Sequence, residues 1–259
     1  MPLPAFGTLA LLFLLGMRHG LDPDHIAVID NITFRALDER PRAAAWTGLL
    51  FSAGHTVSVL VIASVFGLLG TLVTLPPLFE TVMAVVVAGL LILTGTLNLR
   101  ALVGKSAYVP RGWRHGVVPG ALRGSTHPLV TAAIGLIFGL VVDTAAQIAA
   151  WGTAASSTGG VLGAVTIGLS FGIGMILTDG LDSVVVTRLV ARGPDAARAR
   201  RYRRGIGWLI VAISYAMAGY ALLHLFAPEA ALSDGQALIV GGVLAAGVIT
   251  AALIGARRR

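Results

Sequence analysis

The chain has 259 residues, 56% of them hydrophobic and only 12% charged, with a formal net charge of +7. A soluble domain carries about a quarter charged residues, so this chain has too little charge to cover a water-facing surface, and its mean hydropathy of +0.86 agrees. The excess of Arg and Lys lies in short runs between long apolar stretches, which argues against nucleic acid as a partner, and the absence of cysteine excludes disulfides, thiolate metal sites and Cys nucleophiles.

A bilayer core of roughly 30 Å needs about 20 apolar residues as helix. Such stretches fall at about 3–34, 45–72, 78–103, 128–152, 159–190, 206–226 and 236–256. The pattern predicts an all-α polytopic membrane bundle of about seven transmembrane segments in one transporter domain over 1–259. A first half (1–103) is separated by a loop (104–127) from a second half (128–226), and 236–256 is an extra helix. The N-terminus lacks a basic n-region and a small-residue cleavage site, so it reads as a span rather than a signal peptide.

The first segment is too long for one simple span and carries His19, Asp22, Asp24 and His25 within seven positions. In an unbroken helix His19 and His25 would lie about 240° apart around the axis and could not chelate one ion. Pro23 removes a backbone donor and pushes Asp22 from helical angles, so a break is expected between Gly20 and Asp24. Such a break lets imidazoles, carboxylates and freed carbonyls converge, as in the discontinuous helices of ion transporters. The second segment holds Ser52 and His55, the fourth Asp143 and Gln147, and the fifth Met175, Asp179 and Asp182.

A carboxylate at the bilayer centre costs roughly 2.5–3.5 kcal/mol even on the mild insertion scale. Arg18 is the one cation within the spans, and it cannot neutralise five carboxylates. The shortfall points to a cation from outside the chain. Imidazole donors without thiolate suit nickel or cobalt, with zinc, manganese or iron also compatible, and argue against copper(I); magnesium and calcium would use oxygen almost alone. On this reading the metal meets His19, Asp24, His25 and His55, and Asp22, Ser52, Asp143, Gln147, Met175, Asp179 and Asp182 line its path. His115, His127 and His224 read as solvated bystanders.

Eighteen of the nineteen Lys and Arg lie in or beside Arg35–Arg42, Arg100–Arg123, Arg188–Arg204 and Arg257–Arg259, and the alternate connections Leu75–Pro77, Gly152–Thr158 and Ala227–Gly235 hold none. With seven spans the basic regions share one side, which the positive-inside rule places in the cytoplasm of a plasma (inner) membrane protein, with the N-terminus outside and the C-terminus inside. The run from Arg188 to Arg204 reads as an anchor on the inner leaflet.

Gly20-Leu21-x-x-Asp24 recurs 119 residues later as Gly139-Leu140-x-x-Asp143, and Phe51-x-x-Gly54 recurs 120 residues later as Phe171-x-x-Gly174. The paired segments run in opposite directions, so a three-plus-three inverted repeat with one added helix is expected, with Met175 opposite His55.

His19-x4-Asp24-His25, within RHGLDPDHIAVIDN, resembles the signature of the nickel/cobalt transporter family. AGHTVSV around His55, GLVVDTAAQ and GMILTDGLDS resemble three further motifs of that family, in order. The resemblance implies a permease for Ni²⁺ or Co²⁺ as substrate, with no cofactor, and gives His19, Asp24, His25 and His55 importance for the metal. The chain departs from the family pattern at Pro23, where alanine is typical, at Gln147, where glutamate is typical, and at Gly180, where threonine is typical. The family usually has eight spans, and the helix before the signature helix is missing from this pattern, which would expose the signature helix to lipid, a second copy or a partner subunit.

No GxxxxGK[ST] loop is present, so a self-contained ATP pump is not expected. An intramembrane metalloenzyme would want an HExxH-type helix and a positioned base. An exporter on the same scaffold would be expected to add a His-rich loop, whereas 104–127 holds only His115 and His127. Import of the metal is the expected function.

Overall fold

The computed structural model describes residues 4–72, 76, 78–104, 122, 124–140, 145–157, 159–191, 196–227, 229, 232–233, 235–236, 239–240, 242–243, 246–247 and 249–250. Among them the ordered elements are helices: α1 (Phe6–Gly20), α2 (Pro23–Glu39), α3 (Pro41–Ala44), α4 (Thr47–Leu72), α5 (Leu78–Val103), α6 (Pro128–Gly139), α7 (Ala145–Ser156), α8 (Gly160–Ala191) and α9 (Ala196–Phe226). Among the described residues four helical stretches are long and apolar enough to cross a membrane: Thr47–Leu72, Thr81–Val103, Gly160–Leu189 and Arg201–Phe226. The described residues between 235 and 250, in the expected last span, are helical.

The first segment is broken where its sequence requires. Leu21 (φ −86°, ψ 0°) closes α1 by donating its N–H to the carbonyls of Arg18 and His19. Asp22 is extended (φ −61°, ψ 142°), as a residue before proline must be. Pro23 then opens α2, where its missing N–H is no loss.

The fourth segment, expected as one span, is also divided. α6 stops at Gly139, Leu140 (φ −77°, ψ −15°) closes it through the carbonyls of Ile137 and Phe138, and the next helix starts at Ala145. No proline drives this break; the Gly-Leu end tightens the last turn as it does in α1. Asp143 lies outside the described residues. The fifth segment is one continuous helix of 32 residues, about 48 Å long and so longer than the hydrocarbon core.

α4 and α8 pack along each other as the central pair; α1 lies on α8, α6 lies on α4, and α9 pairs with α5. The contacts recur at the spacing of the sequence motifs. A Cβ on Gly16 would collide with the Phe171 carbonyl, and one on Gly135 with the Phe51 carbonyl. Likewise Gly174 meets the Phe13 carbonyl, and Gly54 the Ala132 carbonyl. Gly20 sits on Met175 and Thr178, whereas Gly139 sits on His55 and Ser58. Each of these α1–α8 contacts matches an α6–α4 contact 119 or 120 residues away. Such close approach is how helices associate in lipid, where dispersion must replace the hydrophobic effect.

Gly135→Leu is therefore expected to lower stability by about 3 kcal/mol or more through overpacking, whereas Gly89→Ala, which adds a Cβ in open space, should change it by less than about 0.5 kcal/mol. Thermal unfolding of the detergent-solubilised variants measures both.

Candidate metal centre

The break between α1 and α2 turns the helix end so that residues on opposite sides of a continuous helix meet. His19 comes from the last turn of α1, His25 from the first turn of α2, and His55 from the middle of α4. All three are buried, at 0%, 1% and 0% exposure. Each offers a ring nitrogen such that the three lie within 4.8 Å of one another. The Nε2 atoms of His19 and His55 stand 3.4 Å apart. Metal–nitrogen bonds of about 2.1 Å span nitrogen pairs about 3–3.6 Å apart, so this pair already has the required spacing.

Two carboxylates set the orientation of the rings. Asp22 Oδ2 accepts from His19 Nδ1 at 3.3 Å and from Arg18 Nη1 at 2.9 Å. Asp179 Oδ2 accepts from His25 Nδ1 at 2.9 Å and from the Ser52 hydroxyl at 2.5 Å. With each carboxylate ionised, and so able only to accept, the imidazole proton belongs on Nδ1 and the Nε2 lone pair is the one that could meet a metal. This carboxylate–histidine arrangement is the usual outer support of a metal-binding imidazole. His25 Nε2 is buried without a hydrogen-bond partner among the described residues, a state that is expensive unless an ion satisfies it.

Arg18 is 1% exposed, and its Nε donates to Ser214 of α9 at 3.1 Å. It thereby neutralises Asp22 inside the apolar bundle and ties α1 to α9. Phe51, Phe138 and Phe171, all fully buried, enclose the histidines, with ring centroids 5.1 Å (Phe51) and 5.6 Å (Phe138) from His25 and 5.4 Å (Phe171) from His19. The donor set is nitrogen-rich and dry, suiting nickel, cobalt or zinc rather than magnesium or calcium.

Of the residues singled out in the sequence, His19, His25 and His55 come together, Asp22, Asp179 and Ser52 support them, and Gln147 Nε2 lies 3.3 Å from His55 Nε2. Asp24 is half-buried in the first turn of α2 and stands outside the three-histidine group. Met175 is fully buried one turn before Asp179. Asp182 turns to a different partner set, accepting from Tyr202 at 3.1 Å and Arg203 at 2.9 Å. His127 has a structural role, its ring accepting from the Leu129 N–H at the start of α6. The sequence reading missed Ser214, Arg203 and the phenylalanine enclosure. The four-residue spacing of Arg18 and Asp22 was a usable signal for their pairing; nothing local links Arg203 to Asp182.

Residues 5–109 match the model of a family described as high-affinity nickel-transport protein. Over 208 residues the chain is 32% identical to the nickel transporter NixA of Staphylococcus aureus, covering 70% of this chain and 61% of that one. It is 30% identical over 219 residues to the cobalt transport protein NhlF of Rhodococcus rhodochrous, covering 70% and 60%. It is 28% identical over 252 residues to the high-affinity nickel transport protein of Cupriavidus necator, covering 86% and 71%. The chain thus spans about three fifths of the length of the Staphylococcus and Rhodococcus proteins. No solved structure matches it. The four motifs in order, the match over the signature region and these relatives together make the chain similar to the nickel/cobalt transporter family.

Proposed function

We propose that the protein is a plasma-membrane permease that brings Ni²⁺ or Co²⁺ into the cytoplasm, binding the ion at His19, His25 and His55. The observation that carries this reading is the convergence of three buried imidazoles whose ring nitrogens lie within 4.8 Å of one another, two of them held through Nδ1 on a carboxylate. Relatives named for nickel and for cobalt transport support the substrate class.

The ion sheds water onto the imidazoles. Asp22 and Asp179 hold the rings, and Gln147 beside His55 stands where family members typically place a charge. Asp24 in the first turn of α2 belongs to the proposed path, as does Asp143 by its place in the sequence. A cell interior at about −100 mV is worth roughly 4.6 kcal/mol to a divalent cation, more than a thousandfold in concentration ratio, so inward movement needs no coupled ion. The recurring α1–α8 and α6–α4 contacts support an inverted repeat, with its two breaks flanking the site, that rocks to expose the site alternately. The charge split of the loops supports a cytoplasmic C-terminus.

Flux of ⁶³Ni²⁺ into proteoliposomes with an imposed inside-negative potential tests the proposal: His19→Ala and His25→Ala are expected to lose at least tenfold of the initial rate, and undiminished uptake by either overturns it. Asp22→Asn should weaken nickel binding about 10–100-fold, the usual effect of losing a carboxylate behind a ligating histidine, as read by equilibrium dialysis. Gln147→Glu, which adds a charge 3.3 Å from His55 Nε2, is expected to tighten nickel binding about tenfold in the same assay.

A further inference from the structure

The seam between α2 and α8 carries two polar layers. The first is His25, Asp179 and Ser52, already part of the metal centre. The second begins about 7.5 Å further along α2 at Asp30 and about 4.5 Å further along α8 at Asp182, by helical rise. Here one side chain from α9 closes the seam: Arg203 Nη2 bonds Asp30 Oδ2, and Arg203 Nη1 bonds Asp182 Oδ1 at 2.9 Å. Tyr202 donates to the same Asp182 oxygen. The three side chains are largely buried, at 12% for Arg203, 18% for Asp30 and 2% for Asp182.

This layer lies on the Arg-rich side of the three histidines, in line with the exit that the proposed function requires. It holds one guanidinium against two carboxylates. Asp30 Oδ1 and Asp182 Oδ2 are buried with no hydrogen-bond partner among the described residues. A fixed ion pair is a poor way simply to hold helices together, since apolar packing of similar volume is often as stable. The repeat makes the comparison within one chain: at the offsets of 119 and 120 residues, Asp30 and Asp182 correspond to Ala149 and Ile62, which pack in the apolar core. The corresponding place on the opposite side thus carries partly buried apolar residues, and this side a removable charge.

We infer that Arg203 is a tethered-cation gate: it occupies the place between Asp30 and Asp182 that a departing divalent cation must cross, and it swings aside to let the ion through. Resting on the import reading, the gate is closed when the guanidinium bridges both carboxylates. It opens when the ion's double charge displaces the single charge of Arg203 from them. Arg203 touches neither the histidines nor the bound metal; it controls the route from them.

The absence of cysteine in the chain permits a direct test. Ser52→Cys places a reporter thiol at the first layer, and a membrane-impermeant cationic thiol reagent is applied from either face of reconstituted vesicles without metal. With Arg203 present, modification from the Arg-rich face should be slow; with Arg203→Gln it should be at least tenfold faster from that face alone, and Arg203→Lys should restore slow modification. Because Arg203→Gln leaves two buried carboxylates bare, the charge-free variant Asp30→Asn/Arg203→Gln/Asp182→Asn is carried alongside and should also react at least tenfold faster. Unchanged reactivity in a folded variant, or acceleration from the opposite face, overturns the gate. Nickel binding by dialysis separates the two ideas: loss of binding in the unaltered protein defeats the import reading, whereas retained binding with unchanged reactivity defeats only the gate.

Discussion

The structure depends on how imidazole and carboxylate are kept in an apolar interior. A buried carboxylate is tolerated only when paired, and a buried imidazole offers a usable lone pair only when its other nitrogen has an acceptor. Asp22 and Asp179 each serve both needs. Asp22 is paired with Arg18 and holds His19; Asp179 takes the Ser52 hydroxyl and holds His25. Asp22 thus has the charge of Arg18 beside it, Asp179 is held by the donors of Ser52 and His25, and the imidazoles they orient face a common centre.

Everything around that centre serves to hold the pairs in register. The extended Asp22 and the helix start at Pro23 bring α2 back toward α1. The carbonyl-to-glycine approaches of α1 on α8 and of α6 on α4 hold these helices in close contact. The three phenylalanines exclude water, which strengthens each remaining electrostatic contact. Arg18 extends the network to Ser214, so that α9 senses the same carboxylate that orients His19.

Much of this was legible in the residues. Charge scarcity and segment length specify a helical membrane bundle, and Pro23 specifies the first break. The clustering of His19, Asp22, Asp24 and His25 marks the site, because isolated charge is too expensive in lipid to be placed there without a partner. The division of the fourth segment was legible only as an echo of Gly20-Leu21 in Gly139-Leu140, since no proline announces it. Asp24 and Asp22 could not be ranked from spacing: once the helix breaks between them, the rotation that assigns one to His19 is a property of the backbone angles at Leu21 and Asp22.

By itself the sequence determined the class of molecule, the break in α1–α2 and the residue types of the candidate site, because these follow from hydropathy, proline stereochemistry and ligand chemistry along the chain. Only the tertiary structure decided which carboxylate holds which imidazole, that the fourth segment is divided too, and that Arg203 bridges Asp30 and Asp182 across three helices. The reason is distance along the chain: His25 and Asp179 are 154 residues apart, and Asp30 and Arg203 173 apart. Such partners are chosen by the packing of helix on helix, which no local pattern encodes.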